Sequence, residues 1–175
     1  MKIPIQKLHK DAKLPTRAKE HDAGLDVYAL DNYKILTHKT VAIQTGVALA
    51  VPPGYYFAVV PRSGMSLRTP IRIANSPGTI DAGYRDEVKI LLHNTSEFKA
   101  FRIKKGERIA QLILRKIEDF EWEEVSDIKE IPGDRGGGFG STGSTSISNP
   151  EKFSKKGIKV ISTERKGEEE QDGNK

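Results

Sequence analysis

Val51-Pro52-Pro53-Gly54-Tyr55-Tyr56-Phe57-Ala58-Val59-Val60-Pro61-Arg62-Ser63-Gly64 is the stretch whose reading decides the fold. The apolar run Tyr55–Val60, rich in aromatic and β-branched residues, stands between two turn signals and reads as a short strand. In Pro52-Pro53-Gly54 proline sets φ and glycine permits φ above zero, so the turn has a mechanism. After Pro61 the pattern suits a short helix over Ser63–Arg68. Working outward, the same punctuation recurs. Candidate strands are Val27–Leu30, Val41–Val51, Ile71–Ile73, Glu87–Leu92, Ala100–Ile103 and Ile109–Lys116, set off by Ser76-Pro77-Gly78 and Lys104-Lys105-Gly106. Residues Ile109–Ile117 would also suit a helix, but their place between a Lys-Gly turn and an acidic stretch favours a strand. Apart from the short helix over Ser63–Arg68, no helical periodicity is sustained over three turns. Short strands at this spacing predict an all-β sandwich or barrel.

The chain of 175 residues has room for one ordinary domain with a real core, and its 36% hydrophobic and 30% charged residues suit a chain that lives in water. No apolar run approaches the ~20 residues that span a bilayer, so no membrane partner is expected. The N-terminus has no charged segment followed by an apolar block, so no signal peptide is expected. Cysteine is absent, which excludes disulfides, thiolate metal sites and a cysteine nucleophile. A net charge of +5 is modest. A small polyphosphate needs only a few well-placed cations, and nucleic acid is not the expected partner.

After Val125 the texture changes. Asp134-Arg-Gly-Gly-Gly-Phe-Gly-Ser-Thr-Gly143 is too glycine-rich for a regular element. Residues 144–175 are polar, with nearly cancelling charges and one apolar patch at Ile158–Ile161. The expected organisation is a β core over 1–133, a glycine-rich segment over 134–143, and a disordered or partner-dependent tail over 144–175.

Four segments could carry chemistry. Asp22-Ala-Gly-Leu-Asp26-Val is a small-residue turn flanked by carboxylates; alone, it is more often just a loop entering a strand. Pro61-Arg62-Ser63-Gly64-Met65-Ser66 follows an apolar strand, and an Arg with successive backbone N–H groups at a tight turn makes an anion nest. The plain alternative is a strand-to-helix connection with a surface Arg. In Asn75-Ser-Pro-Gly-Thr-Ile-Asp81-Ala-Gly-Tyr84-Arg-Asp-Glu-Val, Gly78 and Gly83 allow a close hairpin whose backbone can approach a flat ligand. Asp81 near its tip can serve as general base toward a water; the alternative is a hairpin with solvated turn acids. In the glycine-rich segment, bared N–H groups suit phosphate and Phe139 can stack on a base, although a lone glycine run is usually a linker. The histidines His9, His21, His38 and His93 lack ligand spacing and read as surface or packing residues, and Trp122 as an apolar anchor.

Five stretches, in order, resemble the five motifs of the trimeric dUTPases: Ala23-Gly-Leu-Asp-Val27, Pro61-Arg-Ser-Gly64, Gly78-Thr-Ile-Asp-Ala-Gly-Tyr84, Gly106-Glu-Arg-Ile-Ala-Gln111, and Arg135-Gly-Gly-Gly-Phe-Gly-Ser-Thr-Gly143. The resemblance covers residues 1–143. It implies a dUTPase-like β-barrel or jelly roll with a flexible C-terminal arm, assembled as a homotrimer with shared sites. The activity implied is Mg²⁺-dependent hydrolysis of dUTP to dUMP and pyrophosphate, which removes dUTP and supplies dUMP for thymidylate synthesis. A cytoplasmic setting is implied, or a nuclear or cytosolic one in a eukaryotic or viral context. Asp81 would orient the water that attacks the α-phosphorus. The hairpin from Asn75 through Gly78, Thr79 and Ile80 to Lys89 would hold uracil by backbone groups and the Asn75 amide. Tyr84 would lie under the deoxyribose, where a 2′-hydroxyl clashes. Arg62, Ser63, Gly64 and Gln111 would contact phosphates, and Asp26 would reach Mg²⁺ through water. Arg135, Phe139, Gly140, Ser141 and Thr142 would close as a lid, Arg135 on the γ-phosphate and Phe139 over uracil.

Two departures stand out. Arg135 and Phe139 are one residue closer than the family pattern, which bears on whether both lid contacts form together. Asp86 stands where many relatives have Gly, beyond Tyr84 on the returning strand. Two rival readings share the fold: dCTP deaminase, which needs a carboxylate beside the pyrimidine, and a nucleotide-gated interaction protein whose tail binds a protein partner.

Overall fold

In the computed structural model, residues 1–134 and residue 136 are described. Each turn signal in the sequence marks the end of a strand. The elements are β1 (Ile5–Lys7), β2 (Leu25–Tyr28), β3 (Tyr33–Ile35), β4 (Thr40–Gln44), β5 (Val47–Leu49), β6 (Tyr55–Val60), α1 (Ser63–Arg68), β7 (Ile71–Ile73), β8 (Gly78–Ile80), β9 (Lys89–Asn94), β10 (Phe101–Ile103) and β11 (Arg108–Lys116). Residues Met1–Glu121 form one compact unit, and the segment from Trp122 is a separate one. In that second unit a 3-10 turn at Ile128–Glu130 is capped by the Asp127 carboxylate, which accepts from the Lys129 N–H.

Every ladder is antiparallel. The main sheet runs β2-β11-β6-β8, a second runs β4-β9-β7, and two-stranded pairs β1-β5 and β10-β3 complete the set. Alternation along β7, β8 and β9 turns one face inward. Ile35, Ile43, Ile71, Ile90, Leu92, Ile103, Ile109 and Leu112 are fully buried between the sheets. Burying one such side chain contributes roughly 1.5–3 kcal/mol, so this aliphatic core carries the fold without help from cysteine.

The run Val41–Val51 is two strands rather than one. Gly46 sits at φ 71°, in the left-handed region, and a Cβ there would lie 2.8 Å from the Ala12 Cβ. The chain therefore breaks at Thr45-Gly46: β4 pairs with β9 while β5 pairs with β1. The arms of the expected hairpin also part company. β8 pairs with β6, whereas β9 pairs with β4 and β7, so residues 81–88 bridge two sheets instead of closing one ladder. Asn94, fully buried, donates to the carbonyls of Ile35 and Lys99 and accepts from the Ser96 N–H, which fixes the turn after β9.

Candidate active site

The strand order of the main sheet sets chain segments distant in sequence side by side. On β11, Gln111 pairs with Asp26 of β2 on one side and with Val60 of β6 on the other. Arg62 lies just beyond β6, as the residue preceding α1. These side chains meet at one carboxylate. Asp26, only 3% exposed, accepts at Oδ1 from Arg62 Nε (2.9 Å) and Gln111 Nε2 (3.2 Å), and at Oδ2 from an Arg108 guanidinium nitrogen (3.2 Å). Arg62 also donates to the Arg108 carbonyl. Two guanidinium groups thus converge on one carboxylate, and the cluster keeps one surplus positive charge. Gly24 completes it: a Cβ there would sit 3.0 Å from the Gln111 side chain. Ser63 and Gly64 open α1, whose first intrahelical bond runs from Ser66 N–H to the Arg62 carbonyl. Their own N–H groups belong to the helix start, where such donors lack an intrahelical acceptor.

A second feature lies between β6, β8 and β9. A cavity of about 250 Å³ is lined by Asn75, Gly78, Thr79, Ile80, Tyr84 and Lys89, with Val59, Val88, Ile90 and Leu91 behind them. Its walls are mostly apolar with a few polar groups, the usual make-up of a small-ligand site. Gly78 is tightly packed, since a Cβ would come within 3.2 Å of the Asn75 amide and 3.3 Å of Val59. Asp81 follows β8 directly and its carbonyl accepts from the Tyr84 N–H, closing the turn. The Tyr84 hydroxyl donates to the Glu87 carbonyl at 2.8 Å.

Along β6 the two features are offset: the near wall of the cavity, Gly78 opposite Val59, lies about 10 Å from Arg62, and the Ile80 end with Asp81 lies further away. Ile80 pairs with Phe57, while Arg62 lies past the far end of β6. At roughly 3.3 Å per residue, that offset along the strand is on the order of 15–20 Å.

Thus Asp26, Arg62 and Gln111 come together in one cluster, with Ser63 and Gly64 beside it. Asn75, Gly78, Thr79, Ile80, Tyr84 and Lys89 come together in the cavity, with Asp81 at its turn. Arg135, Phe139, Gly140, Ser141 and Thr142 lie outside the described residues. Sequence reasoning passed over Arg108 and Gly24. Arg108 had a signal, being three residues before Gln111, but its contact with Asp26 depends on a bulge between Arg108 and Ala110 that shifts the ladder.

Among the described residues no group of three or more His, Asp or Glu side chains could hold a metal ion. The donor set therefore does not fit an ion ligated mainly by protein. Asp26 is a lone carboxylate here, paired with Arg62 and Arg108. No helix of the described residues is long and apolar enough to cross a membrane.

The chain matches the dUTPase family over residues 10–143. It is 47% identical over 146 residues to a deoxyuridine 5'-triphosphate nucleotidohydrolase of Rickettsia conorii, covering 81% of this chain and 96% of the relative. The corresponding protein of Corynebacterium glutamicum is 42% identical over 144 residues, covering 82% and 95%. Among solved structures, a Staphylococcus bacteriophage 80alpha dUTPase with dUPNHPP superposes with a TM-score of 0.74 at 31% identity, covering 81% of this chain and 98% of that one. A mutant dUTPase of phage phi11 of S. aureus, described for the coordination of a structural Mg(II) ion, is 25% identical with a TM-score of 0.66, covering 74% and 99%.

Proposed function

The chain belongs to the dUTPase family, and we propose that it hydrolyses dUTP to dUMP and pyrophosphate by in-line attack of water on the α-phosphorus. The observation that carries this reading is the cavity at β8 and β9, which gathers Asn75, Gly78, Thr79, Ile80, Tyr84 and Lys89 around a space the size of a nucleoside base and sugar. Uracil is held by the backbone of Gly78–Ile80 and the Asn75 amide. Tyr84 lies against the sugar and excludes a 2′-hydroxyl.

The triphosphate extends to the Asp26 cluster. Arg62, Ser63, Gly64 and Gln111 donate to its oxygens, and Arg62 exchanges part of its bonding to Asp26 for the phosphates. Arg108 keeps its hold on Asp26, so the carboxylate remains paired when Arg62 turns away. Asp81 accepts a proton from the attacking water as its oxygen bonds to the α-phosphorus, and the bond from that phosphorus to the bridging oxygen breaks with pyrophosphate leaving. Mg²⁺ bound by the triphosphate and water would neutralise phosphate charge, with Asp26 reaching its water shell. The protein's own work is orientation and charge placement.

Since Asp81 and Arg62 lie far apart within one chain, each site takes them from different copies, and the assembly is a homotrimer with shared sites. Arg135, Phe139, Gly140, Ser141 and Thr142 act as a lid over the bound nucleotide, with the core ending at 133 and the tail 144–175 outside the chemistry. The enzyme works in the cytoplasm. Pyrophosphate release from dUTP against dTTP, dCTP and UTP tests the reading. Ammonia release from dCTP would instead mark a deaminase, and no release from dUTP would end the proposal.

A further inference from the structure

We propose that Glu87 is a positioning residue that fastens the limb carrying Tyr84 to the β4–β5 turn, and thereby sets the discrimination between deoxyribose and ribose. The inference rests on reading the cavity as the deoxynucleoside site. Glu87 is neither in the cavity wall nor in the Asp26 cluster, yet its side chain is only 15% exposed. One carboxylate oxygen accepts from the Gly46 N–H at 2.8 Å; the other accepts from the Gln44 amide at 3.2 Å and lies 3.9 Å from the Lys89 ammonium. The carbonyl of the same residue accepts the Tyr84 hydroxyl. The Tyr84 ring is therefore held by one end of a residue whose other end is held by a different part of the fold.

The anchor point is itself rigid. Gly46 can be no other residue, given its φ and the contact with Ala12, and its carbonyl accepts from the Leu8 N–H. Beside it, the Thr45 hydroxyl donates to the Val88 carbonyl at 2.6 Å, and Val88 N–H donates to the Val47 carbonyl at 2.9 Å. The far side of the turn is bound differently: Arg85 donates to the carbonyls of Ala82 and Tyr84. The turn is thus internally braced, so losing the Glu87 carboxylate shifts it as a body rather than melting it. Such a shift moves Tyr84, while Lys89 stays in β9, paired with Gln44 of β4, and Asp81 stays beside β8, which remains paired with β6. Exclusion of a single hydroxyl is a short-range steric effect, and small misplacements cost it first.

Calorimetric binding of dUMP and UMP to the full chain tests the idea in Glu87→Ala, Glu87→Gln and Gln44→Ala, with amide exchange over residues 81–88 and steady-state dUTP kinetics. In Glu87→Ala the dUMP-to-UMP affinity ratio should fall about tenfold, with KM for dUTP rising about as much and kcat staying within about threefold, the pattern of lost positioning. Exchange at 84–88 should quicken. Glu87→Gln keeps an acceptor for Gly46 and should restore most of the ratio. Gln44 is exposed, so Gln44→Ala reads the same direction if Glu87→Ala does not fold. An unchanged ratio in these variants, or a fall in kcat with KM intact, overturns the proposal. If the unaltered protein fails to bind dUMP, the cavity reading is lost instead. The anchor then stands or falls on amide exchange, and unaltered exchange at 84–88 in Glu87→Ala or Gln44→Ala sinks it.

Discussion

Three side chains divide the proposed work, and each has its own expected signature. Asp81→Asn is nearly isosteric, so dUTP affinity should stay within about an order of magnitude while turnover drops about a hundredfold or more, the scale of positioned general-base catalysis. Turnover near the unaltered rate, measured by pyrophosphate release, would mean that another group activates the water. Tyr84→Ala should raise UTP hydrolysis relative to dUTP more than it raises dCTP hydrolysis, since base choice rests on the Gly78–Ile80 backbone. A rise for dCTP alone would contradict the role given to Tyr84. Asp26→Asn removes the charge on which Arg62, Arg108 and Gln111 converge. Stability in denaturant should fall by about 1–3 kcal/mol, toward the lower end because both arginines reach solvent and are screened there. A denaturation midpoint that does not move would show that the arginines are held by other contacts. Arg62, Asp26 and Gln111 were legible as candidates from residue type and motif; that they share one carboxylate was not, because the contact is made between strands far apart in sequence.

At the scale of elements, the strand Tyr55–Val60 and the helix Ser63–Arg68 fall where their flanking turn residues put them. A proline or glycine acts on its own neighbours, so such boundaries are local. Strands β1 and β3 went unread because their short runs, Ile5–Lys7 and Tyr33–Ile35, lack bounding turn signals and clear alternation. They exist because a partner strand supplies the hydrogen bonds. The division of Val41–Val51 at Gly46 escaped notice for a related reason: the glycine is apolar enough to pass inside a run, and only packing against Ala12 obliges it. The glycine-rich segment gives the prediction at this scale. Chain cut after Gly133 should still fold and bind dUMP but hydrolyse dUTP poorly, since the proposed γ-phosphate and stacking contacts go with the removed residues. Chain cut after Thr145 should keep nearly full activity. Full activity in the first truncation would mean that the shorter Arg135–Phe139 spacing has already disabled the lid. Loss of activity in the second would make the tail part of the enzyme.

For the whole molecule, the offset between Asp81 and Arg62 leads to a mixing experiment. Asp81→Asn and Arg62→Ala should each be nearly inactive alone. Unfolded together and refolded, they should regain a fraction of full activity, because mixed assemblies contain sites that draw Asp81 and Arg62 from two unaltered positions. Activity that remains at the level of the separate variants would place both residues in one chain's site and remove the argument for sharing. What the sequence by itself determined is whatever depends on neighbours along the chain: an all-β character from short apolar runs, turns at Pro52-Pro53-Gly54 and Lys104-Lys105-Gly106, and five ordered motifs that identify the family. Only the tertiary structure decided that Arg108 joins the Asp26 cluster, that residues 81–88 bridge two sheets, and that Glu87 ties Tyr84 to Gly46. Those facts rest on strand register and on close packing, in which the permitted position of one group is set by atoms dozens of residues away, and no local pattern of residues encodes that distance.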